Sequence, residues 1–200
     1  RDAALFDRVA AVLLGEDAQP LPERVRLLWP HECWGLLAPD VVAAFDAPVR
    51  QTQEVLGAPT PVDLVLDGFD AMYWHLRHIQ GREAWASLGD FITRFSPPLG
   101  PGVAERFAWS SRVTDAQVAA AAAFRARFTE KLEALLGDDG VLLLPTMPDV
   151  APRRDEPEAG LEAYRNASIR LLCIAGLAGL PQLSLPRATR LGAPLGLSLL

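Results

Sequence analysis

Lysine is almost absent from this chain of 200 residues: Lys131 is the only one, and arginine supplies nearly all the positive charge. No Lys/Arg-rich run occurs and the net charge is −6, so the sequence has no electrostatic footprint for nucleic acid. The two cysteines, Cys33 and Cys173, lie far apart with no C-x-x-C pair. That excludes a zinc knuckle or dithiol redox motif and fits free thiols in a reducing cytoplasm. No apolar run approaches the roughly 18 residues of a membrane span, and no signal peptide is visible. Also missing is a glycine/serine-rich loop of the kind that presents a nucleophilic serine to backbone N–H groups.

What is present is ordinary globular composition, 50% hydrophobic and 22% charged. This length can bury one sizeable core. The chain opens at Arg1 straight into an amphipathic pattern and stops in an apolar strand pattern at Leu199 and Leu200. A strand ending on bare leucines leaves an unprotected edge, so the sequence reads as part of a longer domain, cut at both ends.

Periodicity predicts a first helix over Asp2–Leu14, stopped by Gly15, then a loop with Pro20 and Pro22. Val25–Trp29 reads as a short strand. Asp40 is placed to cap a helix with the stripe Val41, Phe45, Val49 and Leu56, kinked at Pro48. Val62–Leu66 reads as a strand, so a right-handed parallel crossover is expected. Asp67 would cap a helix interrupted at Gly81, and the prolines of "SPPLGPG" (96–102) stiffen a loop before a short helix from Val103 to Trp109. Thr114 and Gln117 have capping-box spacing and open the longest helix, Asp115–Leu136, with Ala121, Phe124, Phe128, Leu132 and Leu135 inward. Val141–Leu144 is a continuous apolar run, as in a strand buried on both faces. A charged, proline-rich loop follows over Asp149–Gly160, then a helix Tyr164–Ala175, a strand Gln182–Leu185, a loop Arg187–Gly192 and a strand Leu195–Leu200.

Few residues invite a chemical role. The pair Ser110-Ser111 is flanked by Trp109 and Arg112 and reads as a helix boundary. His75 and His78 sit three apart on one helix without a third metal ligand, and read as surface histidines. His31 and Cys33 lack an orienting acid. Lys131 occupies a solvated helix position, which does not depress a lysine pKa for general-base work. Trp74, Trp85 and Trp109 read first as core packing. Thr146 and Met147 follow a buried strand, where α/β sheets place ligand sites.

The ordered segments "VLLLP", "TMPDVAP", "NASIRLLCIAGLAGLP", "QLSLP" and "APLGLSLL" resemble the C-terminal part of amidase-signature enzymes. That family's common form has a "PT-P-AP" strand exit, an "N-x-x-G-x-P-x-x-x-x-P" turn and a "G-x-P-x-G" strand. "IQGREAWASLGDFI" and "PPLGPGVAERF" resemble its middle region, and "RDAALFDRVAAVLLGED" the helix after its catalytic loop. The likeness is to bacterial amidases and plant indole-acetamide hydrolase-like proteins. Here Asn166 lies further upstream of the Gly-x-Pro turn than the family form has it.

The resemblance implies an α/β/α sandwich with a mixed central sheet covered by helices, and hydrolysis of a carboxylic amide to acid and ammonia or amine without a cofactor or metal. In that chemistry a lysine accepts a proton through a bridging serine while a second serine attacks, and backbone amides hold the oxyanion. None of those catalytic residues maps onto this chain. Thr146, Met147 and Trp85 are the residues implied to touch substrate. The expected partner is a small amide, with no nucleic acid or membrane, and a homodimer is compatible with it. An amidotransferase-type subunit of the same fold, or a scaffold that kept the fold without the site, are the alternatives.

Overall fold

The computed structural model describes residues 2–15, 22–100 and 102–200; Arg1, Pro20 and Pro101 of the readings above lie outside them. Five strands form one mixed sheet in the order β2-β1-β3-β5-β4: β1 (Arg26–Pro30), β2 (Thr60–Val62), β3 (Gly140–Pro145), β4 (Leu183–Arg190) and β5 (Ala193–Leu199). β2, β1 and β3 run parallel, with Leu28 opposite Thr60 and Leu27 opposite Val141. β5 is antiparallel to both β3 and β4. The expected parallel crossover between the first two strands is therefore present.

β3 is the centre. Val141 to Leu144 are all buried, and successive strand side chains point to opposite faces, so both faces of the sheet are covered here. Among the described residues there are eight helices: α1 (Ala3–Leu14), α2 (His31–Trp34), α3 (Pro39–Ala43), α4 (Asp46–Leu56), α5 (Phe69–Phe95), α6 (Val103–Ser110), α7 (Asp115–Leu136) and α8 (Glu158–Ala178). α7 and α2 pack on β3, and α5 packs on α6, α7 and α8. Trp34 is tied to the sheet by its indole N–H, which donates to Leu143 O at 3.1 Å.

α7 has the predicted bounds because its local signals agree. The Thr114 hydroxyl accepts from Gln117 N, the Gln117 side chain accepts from Thr114 N, and Gly137 with φ 53 closes the helix. Its buried residues are Ala121, Phe124, Phe128 and Leu132, with Leu135 partly buried beside the core. Arg26 reaches across to Leu136 O at 2.8 Å and to Asp139 at 2.7 Å, satisfying the end of that helix from β1.

Five readings need correction. Asp40 is not a cap: the segment splits into α3, entered through Pro39, and α4. Pro48 is the third residue of α4, where its missing N–H costs nothing. The second strand pairs only over Thr60–Val62, because the N–H groups of Leu64 and Val65 donate to Glu32 Oε1 at 3.0 Å instead of to a neighbouring strand. α5 runs through Gly81 unbroken and starts after Gly68, not on Asp67. A Cβ at Gly81 would stand 2.5 Å from the Trp109 ring, so this glycine serves a close approach, not a break. α8 begins at Glu158, six residues before Tyr164. Finally, β4 continues to Arg190 past an irregularity between Leu185 and Ala188, where Pro186 lacks the N–H for a ladder bond. The expected loop shrinks to Leu191-Gly192, both at positive φ (51 and 76), as a two-residue hairpin turn requires.

α1 buries none of its residues, and Leu5, Phe6, Val9, Val12 and Leu13 stay exposed. Among the described residues no helix is long and apolar enough to cross a membrane.

Candidate functional site

β3 leaves the sheet at Pro145, and Thr146 is held there by three partners. Its N–H donates to Gly196 O at 2.9 Å, and its hydroxyl is hydrogen-bonded to Ser184 Oγ at 2.9 Å and Ser198 Oγ at 2.7 Å. Gln182 Nε2 donates to Ser198 Oγ at 2.8 Å. This hydroxyl cluster spans β3, β5 and the start of β4. Gly196 makes room for it: a Cβ there would lie 2.5 Å from both Thr146 Oγ1 and Ser184 Oγ.

Met147 follows, half-buried in the exit segment. Beyond it, Asp149 receives two bonds from Arg190 at 2.8 and 2.9 Å, and Arg190 also bonds Asp40 at 2.5 Å. Tyr164 donates to Asp149 O at 3.1 Å. The Arg190 hydrogen bond holds the Asp40 carboxyl below its usual range, and burial followed by the nearby Asp149 charge pushes Tyr164 up. The exit segment is thus clamped from β4, α3 and α8.

Trp85 is half-buried on the second half of α5, with its ring against Gly89; among the described residues no hydrogen bond joins it to Thr146 or Met147. The structure brings Thr146 together with Ser184, Ser198 and Gln182, which the sequence reading missed. Their signal was present as polar residues inside or beside apolar strands: Gln182 and Ser184 at alternate positions, and Ser198.

The remaining candidates resolve individually. Lys131 is half-buried, not solvated: its ammonium donates to Val65 O at 3.0 Å. Ser111 Oγ donates to Ala108 O at 3.0 Å at the end of α6, as a helix-boundary serine does. Cys33 and Cys173 are fully buried; burial pushes the Cys33 thiol far up and the Cys173 thiol up to about 12, so neither is a nucleophile at neutral pH. His31 does have acids beside it, Glu32 at 3.9 Å and Asp63 at 3.8 Å, and these three bring one ligand atom each within 4.8 Å of one another. Glu32 Oε1 is already committed to two backbone N–H groups and the Asp63 side chain is 89% exposed, so the three form a loose polar cluster at the surface.

His75 and His78 are half-buried, not surface residues. His75 stacks on Phe124 with centroids 4.3 Å apart and His78 on Trp109 at 5.9 Å, and Nδ1 of each is buried without a hydrogen-bond partner. Burial lowers both pKa values; for His75 the charges of His78 and Arg127 add to it and Asp67 opposes. A histidine bound neutral in the fold makes the unfolded chain the better proton acceptor, so stability is present above the ordinary value of 6.5 and lost as pH falls through the lowered folded pKa. Melting temperature is expected to fall between pH 7 and about pH 5, and less steeply in the double variant H75Q/H78Q. Parallel curves for the two proteins would remove these histidines as the cause.

A solvent-open groove of about 370 Å³ lies between α5, α6 and α8. Arg77 and Gly81 of α5, Arg106, Trp109 and Ser110 of α6, and Arg165 of α8 line it.

A mixed sheet whose central strand is buried on both faces and packed against helices defines an α/β sandwich. No family model matches the chain. Relatives do. It is 30% identical over 140 residues to Amidase 1 of Arabidopsis thaliana, covering 70% of this chain and 33% of that protein. To Amidase 1 of Oryza sativa subsp. japonica it is 36% identical over 125 residues, 62% of this chain and 29% of that one. It also shares 28% identity over 120 residues with the chloroplastic outer envelope protein 64 of Arabidopsis thaliana, covering 60% of this chain and 20% of that one. A solved amidase superposes with a TM-score of 0.80 at 26% identity, over 96% of this chain and 45% of its own. A bacterial aryl acylamidase of the amidase signature enzymes shares the fold, with a TM-score of 0.67 at 14% identity over 88% of this chain and 40% of that one. The chain belongs to the amidase-signature family, and it spans about a third of the length of the two Amidase 1 relatives.

Proposed function

We propose that this chain is part of an amidase that hydrolyses a carboxylic amide to acid and ammonia or amine, with the nucleophile and base carried by residues other than these 200. The observation that carries the reading is the identity to two plant proteins named Amidase 1, joined to the 0.80 superposition on a solved amidase. The chain's own candidates support the division of labour: Lys131 is committed to Val65 O, Ser111 to Ala108 O, and neither thiol is ionised.

In this reading Thr146 and Met147 border the acyl side of the pocket, since the hydroxyl cluster and the Asp149–Arg190 clamp hold the exit of β3 rigid. Rigid placement matters because a displacement of about 1 Å costs roughly a hundredfold in rate. Trp85 is the third proposed wall residue, contributed from α5. The reading includes a reducing cytoplasmic setting, which the two free cysteines suit, and a homodimer.

Two measurements test it. Alone, the chain is expected to turn over none of a panel of simple amides; turnover that depends on Lys131 and a serine would overturn the division of labour. Grafted in place of the matching third of Arabidopsis Amidase 1, it is expected to restore amide hydrolysis. In that chimera Met147→Ala and Trp85→Ala should change kcat/KM unevenly across amides of increasing acyl size. A folded chimera without activity would count against the amidase reading. A uniform change across substrates would count against the two side chains as specificity residues.

A further inference from the structure

We propose that the groove between α5, α6 and α8 binds a small anion with a flat apolar body, an aromatic carboxylate in chemical class. The proposal is independent of the amidase reading. Three guanidinium groups, from Arg77, Arg106 and Arg165, reach one groove on a chain whose net charge is −6, and no described residue of its wall is acidic. Arg77 and Arg106, which have no ion-pair partner among the described residues, give the groove a positive potential that favours an anion.

The arginines retain the means to bind. Arg77 stands 5.0 Å over the Trp109 ring and, among the described residues, donates through Nη1 to Tyr73 Oη at 3.3 Å; a guanidinium has five N–H donors, so donors remain for a ligand. Arg165 is paired with Glu162 one turn earlier on α8, and Arg106 has no ion-pair partner among the described residues. A planar fork of donors matches a carboxylate in two parallel hydrogen bonds, which selects Arg over Lys for this task.

An independent observation comes from Ser110. It is only 7% exposed, it lines the groove, and its hydroxyl makes no hydrogen bond among the described residues. Its oxygen is open to the groove, so a ligand oxygen can take the place of water there. The apolar body has its own wall in Trp109, Phe107 and Ile169. Trp109 is kept in place by His78 on its ring and by Gly81, whose missing Cβ leaves the space the indole fills. The space is of the size that single small-molecule sites occupy, roughly 300–1,000 Å³.

Titration calorimetry on the 200-residue chain tests this with 2-naphthoate and its neutral counterpart 2-naphthylmethanol. Saturable binding of one naphthoate per chain is expected, with the alcohol at least about tenfold weaker, since a charge-assisted hydrogen bond is of that order. Arg77→Gln and Arg165→Gln should each weaken naphthoate severalfold and leave the alcohol unchanged; both sites are solvent-accessible, and a melting curve confirms the fold. Ser110→Ala should weaken naphthoate by a smaller factor. No saturable binding to folded protein, equal binding of acid and alcohol, a stoichiometry other than one, or wild-type affinity in both arginine variants would each overturn the proposal.

Discussion

Replacing Phe128 by alanine is expected to remove about 3–5 kcal/mol of stability, the largest single effect in this molecule. The ring is wholly buried at the middle of α7, one turn from Phe124 and one from Leu132, both also buried. α7 packs on β3, α5 and α8, and Phe128 belongs to the core cluster, so the cavity left behind lies within the core. Its walls cannot all move in, and the lost dispersion contacts add to the lost transfer energy. Each kcal/mol is worth about 2–4 °C in a domain of this size, so melting should fall by about 6–20 °C. Urea denaturation with an unchanged slope would assign the loss to the folded state. A loss below about 1 kcal/mol would mean that the α7 interface relaxes around the gap.

Gly196→Val should have the next largest effect and touches the strand exit directly. The new Cβ would stand 2.5 Å from the hydroxyls of Thr146 and Ser184 and 2.9 Å from Thr146 Cβ. Real Cβ atoms do not approach so closely, so β5 or Thr146 must shift, and Ser198, which is fully buried, risks losing a partner. Overpacking of about 1–3 kcal/mol combines with about 1–3 kcal/mol for a buried hydroxyl left unpaired. Ser184→Ala in the same chain removes one clashing atom and should recover part of the loss. A Gly196→Val protein that melts within about 1 °C of wild type would show that the close approach constrains nothing.

The parts that sequence patterning read correctly share one trait: their signals are local. α7 has its cap, its stop and its apolar stripe within its own 22 residues and came out with its predicted bounds. β3 is announced by four consecutive apolar residues, which only a strand covered on both faces explains. The misread parts depend on partners distant in sequence. Gly81 reads as a break until Trp109 is seen against it. Arg190 reads as a loop residue until β5 pairs with β4 and carries it to Asp149 and Asp40. His75 and His78 look like surface groups because nothing nearby in sequence reveals Phe124 or Trp109.

The sequence by itself determined the α/β class, the central strand, the long helix and the kinship with amidases, because propensity, capping and hydrophobic period act over a few residues and survive in the order of segments. It also placed Thr146 and Met147 at a strand exit. Only the tertiary structure decided the surroundings of the side chains: that the Thr146 hydroxyl is shared with Ser184 and Ser198, that Lys131 holds the Val65 carbonyl, and that three arginines and Ser110 line one groove with Trp109. Hydrogen bonds and charge clusters are set by distances of a few ångströms between residues tens of positions apart. No periodicity in the chain encodes those distances; packing does.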